Sequence, residues 1–274
     1  MRATSMIRDL VLGGAGLIGS ELVRNLRQNG HRVDSLDLVQ GVDLRRADLS
    51  CFREYDRIWF LAWDTGGAPY LEDAERQHGI FRHNCELALH VFDALSSSGT
   101  PFLFTTSQLA GLPNAYGTTK LLGENWTVQL GGKLARLWNV YGWETPRGRS
   151  HVISDFVLEG IRRGEITCRT DGRERRRFLF KTDAAAAMER LFEGSSQVAD
   201  IAGLEWHSIR EVAGEVARQL NAQVRMGAGS GMEVLLDPIH TLPGWQPRVS
   251  FPEGISRVIG EARAHLSAPH LVVA

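Results

Sequence analysis

The sequence predicts an α/β protein, a Rossmann-type doubly wound parallel sheet with a smaller C-terminal lobe. Three observations lead there. Short apolar runs alternate with helical patterns through the first 140 residues, a glycine-rich turn (GGAGLIGS) joins the first run to the first helical pattern, and after Tyr141 the texture changes to Gly, Pro, Arg and polar residues. Alternation of this kind favours βαβ units, whose parallel strands are covered by helices.

In chain order, MIRDLVLGG reads as a strand and SELVRNLRQNG as a helix. HRVDSLDL and DRIWFLAW are the next strands, and RHNCELALHVFDALSSSG is an amphipathic helix. PFLFTTS, the helix AYGTTKLLGENWTVQLGG and the strand KLARLWNVYG complete the alternation. Past Tyr141, GWETPRGRSH reads as a connection, SDFVLEGIRRG as a helix, EITCRT as a strand and DGRERRR as a charged turn. From Gly227 onward glycines and prolines indicate loops and short helices. The reading places the Rossmann domain at 1–147, with the chain returning to it around 177–203. The smaller lobe takes 148–176 and 204–274.

At 274 residues the chain can bury a substantial core without staples. Its 31 basic and 32 acidic side chains leave a net charge of -1, so neither nucleic acid nor an anionic membrane is expected as partner. Three widely separated cysteines, Cys51, Cys85 and Cys168, have no CxxC spacing, and the nine histidines show no HExxH pattern. No metal site is expected. His83 and His90 read as packing or surface residues. No segment approaches the roughly 18 apolar residues of a membrane span, and the first residues lack the features of a secretory signal. A cytoplasmic protein is expected.

The glycines at 14, 16 and 19 satisfy GxGxxG, and those at 13, 16 and 19 satisfy GxxGxxG. Between a strand and a helix such a turn lets a pyrophosphate approach bare backbone at a positive helix N-terminus. Asp37 ends the second strand 18 residues past Gly19, near the offset of roughly 20 at which an acid meets the adenosine ribose. A dinucleotide cofactor follows. A carboxylate accepts from a ribose diol and repels a 2′-phosphate, which favours NAD. Arg45 and Arg46 keep NADP open as a minority outcome.

Tyr116 and Lys120 stand at i and i+4 in AYGTTK, where side chains on a helix share a face about 5–6 Å apart. Beside a nicotinamide cofactor the pair has a chemical task. Moving a hydride from a carbinol carbon also moves the hydroxyl proton, and a tyrosine held near a lysine cation is expected to titrate closer to neutrality than usual.

Several separated motifs (GGAGLIGS, FLAW, HN at 83–84 before a helix, FLFTTS, YGTTKLLGE, RLWNVYG, DGRERRRF followed by Asp183, SIREVA and LPGWQPRVSFPEGI) occur in an order that resembles the extended short-chain dehydrogenase/reductase family. The resemblance is to its NAD-dependent nucleotide-sugar epimerase/dehydratase branch and covers nearly the whole chain. It implies Ser107, Tyr116 and Lys120 as the catalytic set, with Thr106 an alternative to Ser107. It implies NAD contacts from the turn at Gly13, Gly16, Leu17, Ile18 and Gly19, from Asp37, Asp48 and Leu49, and from Leu61 and Ala62 in FLAW, with Tyr116 and Lys120 also reaching the cofactor. It implies a nucleotide-activated sugar held by Thr106, Ser107, Asn139, His151 and Arg176, and a homodimer formed through helices around 84–97 and 115–130.

The family's 4,6-dehydratases carry an Asp-Glu pair after their catalytic Thr. Gln108 and Leu109 stand there in this chain, and neither does acid/base work. What remains suffices for C4 epimerisation through a transient 4-keto sugar. A nucleotide-sugar reductase or dehydrogenase, a dehydratase using other residues, and a non-catalytic NAD-binding protein stay open. Asp64 and the Gly66-Gly67 pair in WDTGGAPYLED are read as shaping the pocket.

Overall fold

The structure, a computed structural model, describes residues 6–145 and 150–267. The expected domain boundary at 147/148 lies outside the described residues. In order the chain forms β1 (Arg8–Leu12), α1 (Leu17–Gln28), β2 (Arg32–Leu36), β3 (Arg57–Phe60), α2 (Ala68–Leu71), α3 (Gln77–Ser98), β4 (Phe102–Ser107), α4 (Ala115–Gln129), β5 (Lys133–Leu137) and β6 (Asn139–Tyr141). It continues with α5 (Val152–Arg163), β7 (Glu165–Thr167), β8 (Arg175–Arg176), β9 (Phe178–Phe180), α6 (Lys181–Glu193), β10 (Val198–Ile201), β11 (His207–Ser208), α7 (Ile209–Leu220), β12 (Gln223–Arg225) and α8 (Phe251–Ser267).

Six strands make the central sheet in the order β10-β5-β4-β3-β1-β2, every pair parallel. Among the described residues this is the doubly wound arrangement without the strand that ordinarily flanks β2. Residues 37–56 supply only two short 3-10 turns, Leu38–Gln40 and Ser50–Glu54, before β3 returns beside β1. Both faces of the sheet are buried, as its near-continuous apolar strands require. On one face Val11, Trp59 and Leu103 pack with Leu22 and Leu26 of α1 and Met188 and Leu191 of α6. On the other, Phe60 and Phe104 meet Leu87, Val91 and Phe92 of α3, and Trp126 of α4 stacks at a tilt on Phe92 with centroids 5.2 Å apart.

The KLARLWNVYG run, expected as one strand, is two. Val140 N–H donates to the Trp138 carbonyl at 2.7 Å, a tight turn that ends β5 and sends β6 out of the sheet to pair with β9. That turn leads the chain into the smaller lobe, where Tyr141 and Phe180 join Ile153, Phe156 and Val157 of α5, Val212 and Val216 of α7, and Ile255 and Val258 of α8 in a second core. The segment around Leu242, expected in that lobe, packs on the sheet instead. Asp200 on β10 accepts from the backbone N–H groups of Ile239 and His240, each at 2.8 Å, and Leu242 enters the core beside α6. Asp183 accepts in the same way from Arg248 and Val249.

His83 and Asn84 lie inside α3, which starts at Gln77, and not ahead of a helix. The start is marked by an Asp73-capped 3-10 turn at Ala74–Arg76, a short signal beside the long apolar periodicity that follows. No helix of the described residues is long and apolar enough to cross a membrane.

Candidate active site

One cleft of about 1390 Å³ runs along the carboxyl ends of β1, β3, β4 and β5 and continues into the smaller lobe. A single small-molecule pocket is ordinarily about 300–1,000 Å³, so this cleft has room for two ligands end to end.

Its first half is built by the glycine turn. Gly13 has φ +90°, a left-handed conformation, and a Cβ there would meet Ala62 N at 2.6 Å. A Cβ on Gly19 would meet the Gly13 carbonyl at 2.1 Å. Only bare backbone fits, and α1 begins directly behind it with Gly16 as its N-cap, leaving free N–H groups for an anion. Asp37 is 9% exposed, and its carboxylate is aimed by two backbone bonds of 2.9 Å, from Ala15 N–H and Val39 N–H. An ionised carboxylate has about four acceptor positions, so it keeps capacity for a ribose diol. Leu17, Ile18, Leu61 and Ala62 line the same half. These residues fit a dinucleotide.

Asp48 and Leu49 do not line this cleft. Asp48 is exposed and accepts from Ser50 N–H at 2.9 Å, while Leu49 is buried in the core under the sheet. Asp43 and Leu44 form the wall in their place. The cause is Gly41, whose left-handed φ of 85° lets Val42 N–H return to the Asp37 carbonyl at 3.0 Å and presents residues 42–45 to the cleft. Arg45 is engaged by Asp43 at 2.7 Å and Glu86 at 3.4 Å.

At the middle of the cleft Ser107 ends β4 and Tyr116 sits in the first turn of α4, which Asn114 caps by accepting from Gly117 N–H at 2.7 Å. The side-chain hydroxyls of Ser107 and Thr65 face the Tyr116 phenol and favour its phenolate. Thr106 does not share this position, because its hydroxyl donates to Glu124 at 2.8 Å. Lys120, 3% exposed, donates to the Thr105 carbonyl at 2.7 Å. Its ammonium lies 4.5 Å from the Trp63 ring centroid and 4.8 Å from that of Phe104, closer than the 5.8 Å to the Tyr116 ring.

The electrostatics depart from the expectation of a tyrosine brought toward neutrality. Burial pushes the Tyr116 phenol up, against the Ser107 and Thr65 hydroxyls, which favour the phenolate. Burial also brings Lys120 down to about 7, against the charge of Glu124, which favours the ammonium.

In the second half, Asn139, His151 and Arg176 all line the cleft. Arg176 Nη1 donates to the Arg175 carbonyl at 2.8 Å and Nη2 to the Met232 carbonyl, and burial lowers its pKa. His151 caps α5, and its Nδ1 is 2.7 Å from Glu144. Burial works against its charged form, but the Glu144 bond and charge prevail and raise its pKa. Gly67 is a closing point between the halves, since a Cβ there would meet the Ser150 carbonyl at 2.4 Å.

Sequence reasoning missed Thr65, Asp43, Leu44 and Glu144. Thr65 sits between Asp64 and the glycine pair already marked as pocket-shaping, which was the available signal. Of the two helix histidines, His90 bonds the Ala47 carbonyl at 2.8 Å, whereas His83 lines the cleft. Among the described residues no group of three or more His, Cys, Asp or Glu side chains is placed to hold a metal ion.

Comparison with known proteins agrees with this architecture. UDP-glucuronic acid decarboxylase 4 of Arabidopsis thaliana is 23% identical over 94% of this chain and 69% of its own length. A putative UDP-glucose 4-epimerase of Methanocaldococcus jannaschii is 24% identical over 91% of this chain and 96% of its own. In three dimensions, the UDP-glucose 4-epimerase of Thermotoga maritima, solved with UDP-glucose, superposes with a TM-score of 0.79 at 20% identity, covering 95% of this chain and 100% of that one. The family model described as NAD dependent epimerase/dehydratase matches residues 10–201. That match runs from β1, where the glycine turn begins, to the end of β10, the last strand of the central sheet. The chain therefore belongs to the NAD dependent epimerase/dehydratase family, with NAD as its cofactor.

Proposed function

We propose that this protein inverts a ring carbinol of a nucleotide-activated sugar, by C4 epimerisation through a transient 4-keto sugar. The observation that carries the reading is the hydroxyl pair of Ser107 and Tyr116 at the centre of a two-ligand cleft, followed by Gln108 and Leu109, which supply no further acid or base. Bound NAD supplies the hydride acceptor and, on return, the hydride donor. Tyr116 Oη takes the C4 hydroxyl proton and gives it back after the ketone has turned over in the pocket. Ser107 orients that hydroxyl by hydrogen bonding. Lys120 holds the cofactor side of the site and favours the phenolate by its charge when protonated. Asn139, Arg176 and His151 hold the nucleotide diphosphate. The Rossmann unit at 1–147 with the return at 177–203 binds the cofactor, and the remaining lobe binds the sugar nucleotide.

A second reading is favoured by relatives named UDP-glucuronic acid decarboxylases. The first step is the same. In a 4-keto uronate the carboxylate is β to the ketone, so the C5–C6 bond can break with its electrons passing to O4, after which a proton returns to C5. The test is incubation of the full chain with NAD⁺ and, separately, UDP-glucose, UDP-N-acetylglucosamine and UDP-glucuronic acid, followed by NMR and mass spectrometry. A C4 epimer without accumulating NADH is expected. Stoichiometric CO₂ from UDP-glucuronic acid would replace this reading with the second, accumulating NADH would indicate a dehydrogenase, and a product lighter by one water a dehydratase.

We further propose a homodimer through α3 and α4, which present Phe81 at 45% exposure, Leu89 at 52%, Leu121 at 43% and Val128 at 62%. Exposed apolar side chains grouped on one surface mark an interaction site. Leu89→Glu is expected to halve the solution mass measured by light scattering. A wild-type monomer at every concentration would refute the dimer.

A further inference from the structure

We propose that Thr65 is a positioning residue for the acid/base tyrosine, its hydroxyl and that of Ser107 holding the Tyr116 oxygen from two directions and together stabilising the phenolate. The inference rests on Tyr116 as the proton acceptor, but on neither the sugar nor the outcome of the reaction.

A proton acceptor must be able to exist as the anion, and Tyr116 is poorly placed for that. It is 9% exposed, with its ring packed among Tyr70, Leu71, Ile80 and Ala115. A buried anion without donors is costly, and water cannot surround this one. Lys120 on the same helix directs its ammonium to the Thr105 carbonyl and the Trp63 and Phe104 rings. The remaining charged groups are unhelpful or remote in the fold. Asp64, beside Thr65, is an acid that accepts from Tyr70 at 2.9 Å. Asp155 and the His151–Glu144 pair belong to α5 and its approach, in the other lobe. Ser107 from β4 and Thr65 from the loop after β3 share the cleft with the phenol, and theirs are the side-chain hydroxyls that favour its anion.

The loop that delivers Thr65 is registered to the helix that carries Tyr116 through Asn84 of α3. Asn84, 0% exposed, accepts from Asp64 N–H at 2.8 Å and donates to the Asp64 carbonyl at 3.2 Å. The same amide donates at 3.3 Å to Thr119, one turn along from Tyr116, and Thr119 donates to the Ala115 carbonyl at 2.8 Å. On the far side of Thr65 the close approach of Gly67 to Ser150 fixes the loop again. Thr65 is thus held at both ends, and it lines the cleft together with Ser107 and Tyr116.

The test reads tyrosine ionisation and not turnover. The full-length protein saturated with NAD⁺ is titrated by ultraviolet difference spectroscopy, and the titration of Tyr116→Phe is subtracted to isolate Tyr116 from the other three tyrosines. Thr65→Val and Thr65→Ala are each expected to raise the midpoint by about one pH unit, the scale of one hydrogen bond to a charged group. Thr65→Ser, which keeps the hydroxyl and drops the methyl, is expected to restore it. A merely structural Thr65 would give the same midpoint in all variants, or a rise that serine does not reverse, and either result overturns the proposal. Should the valine variant not fold, the alanine and serine pair decides alone. Failure of every sugar in the substrate panel would leave this result untouched.

Discussion

At the amino end of the central sheet Asp9 is 0% exposed, and its two oxygens accept three hydrogen bonds, from Arg57 at 2.8 and 3.1 Å and from Trp59 Nε1 at 2.8 Å, with His31 Nδ1 2.8 Å from Asp9 and 2.7 Å from Arg57 Nη2. At the carboxyl end Lys120 is 3% exposed, with one carbonyl at 2.7 Å and aromatic rings for company, and among the described residues no carboxylate forms an ion pair with it. The same sheet buries charge in both places. Where the charge is fully partnered it fixes strand positions, and where it is left short of partners burial lowers its pKa. The satisfied charge and the short-partnered one stand at opposite ends of one scaffold.

The sharpest way to break the comparison is at Tyr116. Tyr116→Phe is expected to lower turnover by about 10²–10⁴-fold while the thermal midpoint and NAD affinity stay near wild type, measured where chemistry limits the rate. Retention of more than about a tenth of turnover would sit well below that range and would remove Tyr116 from the proton path.

Asp9→Ala should do the reverse. It leaves Arg57 buried without its carboxylate, a loss of about 3–5 kcal/mol in urea unfolding, while turnover per folded molecule is unchanged. A kinetic defect without a stability defect would show that the two ends are not separate.

The smallest effect concerns Lys120 and pH. Its pKa falls from the ordinary 10.5 to about 7 through burial. Between those values the unfolded chain keeps a proton that the folded chain has released, so stability rises with pH across the window. The cost of burying the charge is full below about pH 7 and gone above 10.5. Lys120→Met is therefore expected to melt higher than wild type near and below neutrality, with the gap closing as pH rises. A gap of constant size would mean that some other group titrates.

The parts of this site that were legible in the sequence are those set by local spacing. Tyr116 and Lys120 share a helix face because i and i+4 must, and Asp37 follows the glycine turn at a fixed distance through one helix and one strand. The cofactor wall misled because VDL and ADL are locally alike, and only the turn at Gly41 selects Asp43-Leu44 over Asp48-Leu49. The break at Trp138 was hidden because RLWNVY is apolar throughout and its division depends on pairing with β9, far along the chain. Thr65 could not be connected to Tyr116 from spacing at all, since Asn84 on a third element makes the connection.

The last part of the connection from β2 to β3, at the amino end of the sheet, bears on how the molecule can be rebuilt. The exposed Arg53 and Glu54 lie at the approach to β3, the end of the strand farthest from the cleft. A splice point there is anchored on one side by the buried Phe52 and on the other by Asp56, which receives Arg8 N–H at 2.8 Å. Guest sequence grafted after Glu54 would lengthen an exposed connection, and each doubling of such a loop costs only about 0.6 kcal/mol. The approach to β3 thus offers a port for a reporter module that leaves the chemistry at the other end undisturbed.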